Sequence, residues 1–471
     1  MWSTRHLGQR VRVLVYHKRH YRAPPPLLED LTQRGFIQDV TRPDAFENAL
    51  ATKVQTIYAG VDPTAKSLHI GHLIPLMCLL HFQIRGHRII PLIGGATGRV
   101  GDPSGRLVER QLADVKQVED NVVNLTSSIQ AFFKRAYLYA GSHVSLDSNV
   151  KPEPVVRSNL DWHGSFTLLD FLQAVGVHAR VNTMLNRESV RARLTSQQGL
   201  SFTEFTYQLL QAYDFYYLHK HFGCSIQVGG SDQWGNIVAG LELIGKMDPS
   251  HPNQGPSNAS GVYGFTTPLL TTSTGEKFGK SAGNAVWLDS SLTSIFDFYQ
   301  YFLKVTDTDV GKYLRMFTFM SIKEINELVQ EHMKEPEKRR AQLRLAAEVT
   351  EMVHLKQGVK QAETMTKLMF GSDYLDLKAS DVISSFKGDP RLVICSTKDI
   401  TGIPVTKLAA TYGLVSSNSV SRTLVASRGL YLNNQAIQDA QYKITPSNLL
   451  DNKFVILRAG KDKMLILLAS N

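Results

Sequence analysis

The first strong pattern of apolar and polar positions covers residues 55–95. The segment QTIYAGV (55–61) alternates polar and apolar side chains, which is typical of a strand, and a turn, DPTAKS, follows it. The segment IGHLIPLMCLLHFQIRG (70–86) carries apolar residues densely enough to predict a buried helix that stops at Gly86. A second strand, HRIIPLIGG (87–95), comes next. The order strand, helix, strand predicts a parallel α/β sheet of the nucleotide-binding type.

The rest of the chain is predicted to be mostly helical, with two returns to strands. Residues from about 110 to 220 read as helices, and CSIQVGGSDQWGN (224–236) resumes the sheet after this insertion. Residues 288 to about 385 again read as helices. Polar residues, glycine and proline at 390–403 predict a linker, and 404–471 predicts a compact module of short helices and strands.

Length and composition are those of an ordinary globular chain with several domains. The chain has 471 residues, of which 43% are hydrophobic and 20% charged, so two or three domains are expected. No stretch approaches the roughly 20 consecutive apolar residues of a transmembrane helix. Three widely spaced cysteines argue against a disulfide framework and favour a reducing compartment such as the mitochondrial matrix.

Positive charge is concentrated at the two ends of the chain. The net charge is +10, and residues 1–22 supply six of these charges with no acidic residue. An Arg-rich, acid-free start predicts an organellar transit peptide at 1–24, and a basic arm that binds nucleic acid is the alternative. The module at 404–471 has eight Lys and Arg against three Asp, a net positive charge that is typical of a domain that binds RNA or DNA.

Two histidines, His69 and His72, are three residues apart at the predicted start of the helix. This spacing puts them on one helical face. Pro75 has no backbone N–H and is tolerated only near the start of a helix, so the helix should begin close to Gly71. His72 then lies where free backbone N–H groups favour anions. Taken alone, the pair could equally be two ordinary histidines, and a zinc site would more often have ligands four apart.

A second motif, TGEKFGKS (274–281), nearly spells a phosphate-binding P-loop. One residue is missing between its first glycine and the Gly-Lys-Ser, and no helix follows, so the P-loop interpretation fails. Lys277 and Lys280 between glycines instead predict a mobile loop whose charge can neutralise a polyphosphate. Alone this is a weak signal, because lysine-rich turns are common on protein surfaces.

A third pattern lies in YQLLQAYD, where Tyr207, Gln211 and Asp214 fall at i, i+4 and i+7 on one helical face. A core stripe is the default for this spacing, but glutamine and aspartate are poor core residues unless they are hydrogen-bonded. A polar ligand would satisfy them.

Five segments taken in order closely resemble bacterial and organellar tyrosyl-tRNA synthetases: YAGVDPTAKSLHIGH, GGATGRVGDPSGR, SFTEFTYQLLQAYD, QVGGSDQWGN and KFGKS. His69 to His72 match the HIGH signature of class I aminoacyl-tRNA synthetases, and Lys277 to Ser281 match their KMSKS loop. The resemblance implies a Rossmann-like catalytic domain at residues 25–287, which includes an insertion that forms the dimer. It further implies an α-helical anticodon-binding domain at 288–390 and a small S4-like α+β RNA-binding domain at 404–471.

The resemblance also implies a tyrosine–tRNA ligase that serves mitochondrial translation. ATP and tyrosine would form tyrosyl-adenylate and pyrophosphate, and tRNA(Tyr) would then receive the tyrosine. Mg²⁺ would accompany ATP, with no metal held by the protein alone. A homodimer, formed around GVHARVNTMLNRESV (176–190), and no membrane association are expected.

Residue roles follow from the same resemblance, position by position. The residues implied in catalysis are His69, His72, Thr64, Lys277, Lys280 and Ser281. Those implied in binding tyrosine are Tyr58, Asp102, Tyr207, Gln211, Asp214 and Gln233, of which Tyr58 and Asp214 bracket the phenol hydroxyl. Those implied in binding ATP are Asp62, His69, His72, Arg106, Arg110, Gly230, Asp232 and Lys280. Arg422 and Arg428 are the residues implied in binding tRNA.

This arrangement implies specificity without editing, because phenylalanine would leave buried polar groups unpaired. Enzymes of this family discriminate by about 10⁵-fold in this way, a magnitude known for the family rather than derived from this sequence. Two alternatives are an RNA-binding protein that lost the reaction and a tryptophan enzyme of the same fold. The intact catalytic set argues against the first, and Tyr58 with Asp214 argues against the second, because indole has no hydroxyl.

Overall fold

A computed structural model describes most of the chain beyond the N-terminal segment. The described residues are 25–105, 108, 114–146, 153–196, 199–247, 261–269, 280–281, 284–371, 374, 376–460 and 462–470, with the backbone alone at 280, 281 and 284. The predicted transit peptide at 1–24 therefore lies outside the described residues. The chain forms two compact units, Met1–Asp289 with Val305–Leu345 and Ser290–Lys304 with Ala346–Asn471.

The first unit is built on a five-stranded sheet in which every pairing is parallel. Its strands are β1 (Thr56–Val61), β2 (Arg88–Ile93), β3 (Arg157–Ser158), β4 (Ile226–Gly230) and β5 (Tyr263–Thr267). The spatial order is β3-β2-β1-β4-β5, so the chain reverses its direction of winding between β1 and β4. The predicted Rossmann-like parallel sheet is confirmed, and such a reversal opens a crevice at the carboxyl ends of the two strands.

Helices cover this sheet and form the insertion between β2 and β4. They are α1 (Leu27–Arg34), α2 (Pro43–Thr52), α3 (Leu73–Gln83), α4 (Thr97–Val100), α5 (Val115–Ala140), α6 (Leu160–His163), α7 (Leu168–Ala174), α8 (Val181–Leu185), α9 (Glu188–Leu194), α10 (Phe202–Phe222), α11 (Trp234–Met247), α13 (Asp307–Phe317) and α14 (Ile322–Lys334), while α12 (Ile295–Leu303) belongs to the second unit. A short hairpin joins β6 (Lys280–Ser281) to β7 (Asn284–Ala285).

Helix α3 begins where the proline predicted. A single 3₁₀ turn, Ile70–His72, leads into it, and Pro75 lies in its first turn. Every residue of α3 other than Pro75 is buried, which explains why the segment carries no polar face. The helix therefore fixes the two histidines at the edge of the sheet's core.

The second unit contains α12, most of α15 (Arg340–Phe370) and a mixed α+β module. The module has α16 (Ala379–Ser385), α17 (Thr397–Gly402), α18 (Val405–Thr411), α19 (Asn418–Ala426) and the strands β8 (Leu392–Ser396), β9 (Leu430–Leu432), β10 (Gln435–Ala436), β11 (Phe454–Ala459) and β12 (Lys463–Ser470). Its sheet has the order β10-β9-β11-β12-β8.

One expectation about a boundary was wrong. Residues 390–403 are not a linker, because β8 pairs in parallel with β12 at the edge of the C-terminal sheet and α17 follows it. The sequence did not reveal this strand because its partner, β12, lies far away along the chain. The helices predicted at 288–390 are present, and those within Val305–Leu345 are assigned to the first unit. Among the described residues, no helix is long and apolar enough to cross a membrane.

Helix α15 leaves helical geometry at Leu355, which has φ 63° and ψ 177°. Only glycine adopts this combination readily, because a Cβ atom there clashes with the backbone. Leu355 is 39% exposed, so its packing offsets this strain only in part.

We expect Leu355→Gly to raise the free energy of unfolding by about 1–3 kcal/mol, because glycine removes the strain. Chemical denaturation measures this directly. The matched control is Lys356→Gly in the helical part of α15, which should lower stability by about 1 kcal/mol. Equal losses from the two variants would contradict the assignment of strain.

Candidate active site

A cavity of about 270 Å³ opens at the carboxyl ends of β1 and β4, where the winding reverses. It contains ten of the residues that the sequence implicated: Tyr58, Asp62, Thr64, His72, Asp102, Tyr207, Gln211, Asp214, Gly230 and Gln233. Further lining residues that the sequence did not implicate include Thr97, Asn159 and Gln227. Residues separated by as many as 175 positions thus meet at one crevice of the sheet.

At one end of the cavity, the buried Asp214 carboxylate accepts three hydrogen bonds from side chains. Its Oδ1 accepts from Trp162 Nε1 at 2.8 Å and lies 2.8 Å from His163 Nε2. Its Oδ2 accepts from Asn159 Nδ2 at 3.0 Å. These donors fix the carboxylate in place.

Tyr58 lies on β1, lines the cavity together with Asp214 and is 1% exposed. In the described part of the chain its hydroxyl has no hydrogen-bond partner. Burial, and then the negative charge of Asp214, raise the pKa of Tyr58 well above its usual value. The hydroxyl therefore remains a protonated donor, and a buried donor without a partner is a costly feature that a polar ligand would remove.

A chain of hydrogen bonds connects Asp214 to the opposite end of the cavity. Asn159 Nδ2 also donates to Thr97 Oγ1 at 3.0 Å, and Thr97 Oγ1 donates to Asp62 Oδ1 at 2.8 Å. Tyr207 OH donates to Asp62 Oδ2 at 2.9 Å. Burial first, and then the charges of Asp62 and Asp102, raise the pKa of Tyr207. The carboxylates of Asp62 and Asp214 are thus linked through the side chains of Thr97 and Asn159.

Amide side chains fill the third side of the cavity. Gln233 Nε2 donates to Asp102 Oδ2 at 2.7 Å, and Asn236 Nδ2 lies 3.0 Å from Gln211 Oε1 and 3.1 Å from Gln233 Oε1. The Asp102 Oδ1 atom also accepts from the backbone N–H of Ser104 at 2.9 Å. These contacts orient the polar groups toward one space, where a charged ammonium group could be held by Asp102.

The two histidines form a fixed, stacked pair. Their ring centroids are 3.9 Å apart. His69 Nδ1 accepts from the backbone N–H of Gly71, and His72 Nδ1 accepts from the backbone N–H of His69, both at 3.1 Å. A ring nitrogen that accepts carries no hydrogen, so the proton of each neutral ring is on Nε2. His72, which lines the cavity, can therefore donate from Nε2.

The segment that follows the lysine motif lies beside the histidine pair. The backbone N–H of Ile70 donates to the Val286 carbonyl, and that of Leu288 donates to the Leu68 carbonyl, each at 2.9 Å. The rings of His69 and Trp287 are 6.0 Å apart. The histidine pair and residues 286–288, which are about 200 positions apart in sequence, thus lie side by side.

Several implicated residues lie elsewhere or outside the description. Lys277, Arg106 and Arg110 lie outside the described residues, and the side chains of Lys280 and Ser281 are likewise not described. Asp232 is next to the cavity, since a Cβ atom on Gly230 would lie 2.6 Å from its Oδ1. Arg422 and Arg428 are exposed in the second unit.

Sequence reasoning missed the residues that hold the carboxylates, namely Thr97, Asn159, Trp162 and His163. They occur in segments whose pattern gave no sign of polar chemistry, and Asp214 is more than 50 positions away from Asn159, Trp162 and His163 in sequence. Gln227 was also missed. Its Oε1 is buried without a partner among the described residues, and it pairs in register with Tyr58.

Comparison with known proteins shows which protein family has such a site. Residues 50–371 match the family of class I tRNA synthetases for tryptophan and tyrosine, and residues 382–467 match the SYY-like C-terminal domain of tyrosine–tRNA ligases. The mitochondrial tyrosine–tRNA ligase of Saccharomyces cerevisiae is 40% identical over 450 residues, covering 94% of this chain and 88% of the yeast protein. The tyrosine–tRNA ligase of Oceanobacillus iheyensis is 40% identical over 442 residues, covering 94% and 98% of the two chains.

A solved structure agrees with these relatives. A C-terminally truncated mitochondrial tyrosyl-tRNA synthetase of Aspergillus nidulans superposes with a TM-score of 0.67 at 35% identity, covering 74% of this chain and 95% of that one. The family models and the relatives together match both the parallel-sheet unit and the C-terminal module. The chain therefore belongs to the class I tRNA synthetase family of tryptophan and tyrosine enzymes and is a tyrosine–tRNA ligase.

Proposed function

We propose that the cavity binds L-tyrosine with its phenol hydroxyl between Tyr58 and Asp214. The observation that carries this assignment is the buried Tyr58 hydroxyl, which has no partner in the described part of the chain. It can donate to the phenol oxygen, while the phenol O–H donates to Asp214 Oδ2. The α-ammonium group then lies near Asp102, Tyr207 and Gln211, and the carboxylate lies near Gln233.

ATP occupies the side of the cavity next to the helix start. We infer that His72 Nε2, Thr64 and His69 stabilise its phosphates, and that Lys277, Lys280, Ser281, Arg106 and Arg110 approach from their loops. Gly230 and Asp232 hold the ribose, and Asp62 lies by the reacting groups. Mg²⁺ enters as the counter-ion of ATP, because the carboxylates of Asp62, Asp102 and Asp214 are already engaged by protein donors.

In the first step a tyrosine carboxylate oxygen attacks the α-phosphorus of ATP. The bond to the β-phosphate breaks, and pyrophosphate leaves with the electron pair. In the second step a hydroxyl of the terminal adenosine of tRNA attacks the adenylate carbonyl and AMP leaves. No protein nucleophile is needed, so positioning and charge stabilisation supply the catalysis.

Tyrosine-dependent exchange of labelled pyrophosphate into ATP tests this assignment. We expect exchange with tyrosine, very little with phenylalanine and none driven by tryptophan. Exchange that does not distinguish tyrosine from phenylalanine would contradict the role of Tyr58 and Asp214. A folded protein that shows no exchange at all would instead support the alternative of an RNA-binding protein that has lost the reaction.

We propose that the helical segment at 288–390 binds the tRNA anticodon and that the module at 404–471 is an S4-like RNA-binding domain. Its surface carries Arg422 and Arg428, which are both exposed, and net positive charge favours RNA. A deletion from residue 404 is a poor test, because it would remove β12 from β8. Substitutions on the surface avoid this problem.

We expect the double variant Arg422→Glu/Arg428→Glu to raise the KM for tRNA by about tenfold and to leave pyrophosphate exchange unchanged, since it weakens phosphate contacts alone. The matched control reverses two exposed lysines of the same unit, Lys387→Glu/Lys398→Glu. A KM for tRNA that rises equally in both variants would assign the effect to net charge rather than to this surface.

A homodimer is also proposed. Leu168, Leu169, Leu172, Val177 and Val181 belong to the insertion and are each between 47% and 77% exposed. Apolar side chains concentrated in so short a segment favour an interface, and the segment overlaps the one that the sequence implicated. Light scattering of the full chain and of Leu168→Lys/Leu169→Lys measures the association, and an unchanged mass in that variant would contradict this interface.

We further propose that the enzyme acts in the mitochondrial matrix. The acid-free, Arg-rich segment at residues 1–22 supports import, and mitochondrial enzymes from yeast and Aspergillus are among the relatives. Bacterial relatives are equally similar, so the N-terminal segment carries the argument. Fusion of residues 1–24 to a fluorescent protein tests it, and a signal spread through the cytosol would contradict it.

A further inference from the structure

His163 is the most unexpected polar residue around the cavity. It ends the short helix α6, directly after Trp162, and its Nε2 lies 2.8 Å from Asp214 Oδ1. Its side chain is 6% exposed, and that of Asp214 is 3% exposed. The ring packs against Tyr213 and Phe171, with centroids 5.6 Å and 6.4 Å away. A buried imidazole is thus held against the carboxylate that we assign to the phenol hydroxyl.

The acceptor positions of Asp214 can be counted. A carboxylate offers about four lone-pair positions, two on each oxygen. Trp162 and His163 occupy both positions on Oδ1, and Asn159 occupies one on Oδ2. One position on Oδ2 remains, which matches a substrate that brings a single hydroxyl hydrogen.

We propose that His163 is a positioning residue that determines specificity for the hydroxyl group of tyrosine. By donating from Nε2 it completes the hydrogen bonds of Oδ1, which leaves Oδ2 alone to accept from the substrate. This proposal rests on the proposed binding mode of tyrosine between Tyr58 and Asp214.

The neighbouring tryptophan does not make this role redundant. With Trp162 as the only donor to Oδ1, the carboxylate has one buried acceptor position unfilled and can rotate about χ2, a torsion with a broad preference. Rotation moves the free lone pair of Oδ2 away from the phenol hydroxyl. Tyrosine binding is then weakened, while phenylalanine, which has no hydroxyl to place, is affected little.

Three substitutions isolate the donor from the ring. His163→Phe keeps the aromatic packing against Tyr213 and removes the donor. His163→Gln keeps a donor nitrogen at nearly the same distance from the backbone as Nε2. The side chain of His163→Asn is one bond shorter, so its donor nitrogen does not reach Asp214. Pyrophosphate exchange with tyrosine and with phenylalanine gives the ratio of the two kcat/KM values for each variant, and thermal melting shows that each is folded.

We expect this ratio to fall about tenfold in His163→Phe and His163→Asn, through a higher KM for tyrosine with the KM for ATP unchanged. His163→Gln should retain a ratio close to that of the natural protein. Equal losses for tyrosine and phenylalanine, or a loss in His163→Gln as large as in His163→Phe, would overturn the proposal.

The binding mode itself is tested separately by Tyr58→Phe, which removes the other hydrogen bond to the phenol. An unchanged ratio in Tyr58→Phe would overturn the binding mode. A lowered ratio in Tyr58→Phe together with an unchanged ratio in His163→Phe would overturn the role of His163 alone.

Discussion

Replacing Asp214 with asparagine is expected to reduce the preference for tyrosine over phenylalanine by about 100-fold, the largest loss of specificity from any single change in the cavity. The carboxylate is the charged acceptor for the phenol hydroxyl, and an amide presents either a neutral acceptor or a donor there. Phenylalanine makes no bond to this group, so its kcat/KM should change little. The preference therefore falls because the kcat/KM for tyrosine decreases.

The measurement is pyrophosphate exchange with each amino acid in turn. Because Asn159, Trp162 and His163 all donate to Asp214, asparagine can also disturb the fold, and thermal melting must accompany the kinetics. Tyr58→Phe is the matched variant: its hydroxyl has no partner among the described residues, so its removal should not destabilise the protein. A preserved preference in folded Asp214→Asn would contradict the account.

The second large effect is expected at the histidine pair. His72→Ala should slow formation of tyrosyl-adenylate by about 100- to 1000-fold, because it removes a fixed donor to the phosphates in the transition state. The KM for tyrosine should stay the same, since the imidazole does not contact the amino acid in the proposed binding mode. Rapid-quench measurement of the first turnover separates this step from binding.

Two further variants at this position distinguish donor from acceptor. His72→Asn can still accept from the backbone N–H of His69 but has no donor at the Nε2 position, so it should be slow yet well folded. His72→Gln retains a donor there and should recover part of the rate. A slow first turnover in His72→Gln with a normal one in His72→Asn would contradict the proposed role.

The elements that sequence could predict are those governed by local chemistry. The buried helix after β1, its start near Gly71 and the parallel sheet follow from apolar spacing and from the missing N–H of Pro75. The polar stripe Tyr207, Gln211 and Asp214 likewise follows from helical periodicity. Each of these depends on residues within a few turns of one another.

The features that sequence could not predict depend on distant partners or on the backbone. Strand β8 exists because β12 pairs with it, and nothing within 390–403 indicates that partner. The unusual geometry of Leu355 lies inside an ordinary helical pattern. The donors to Asp214 likewise come from α6 and the residue that precedes it, more than 50 positions away, so the hydrogen bonds of this buried carboxylate become visible only in three dimensions.

A crystal structure of the full chain with bound L-tyrosine would test the central claim most directly, namely that the phenol hydroxyl lies between Tyr58 and Asp214. We expect the phenol oxygen to lie about 3 Å from both the Tyr58 hydroxyl and Asp214 Oδ2, with the ammonium group at Asp102. Tyrosine bound in the reverse direction, or with its hydroxyl directed away from Asp214, would contradict the account.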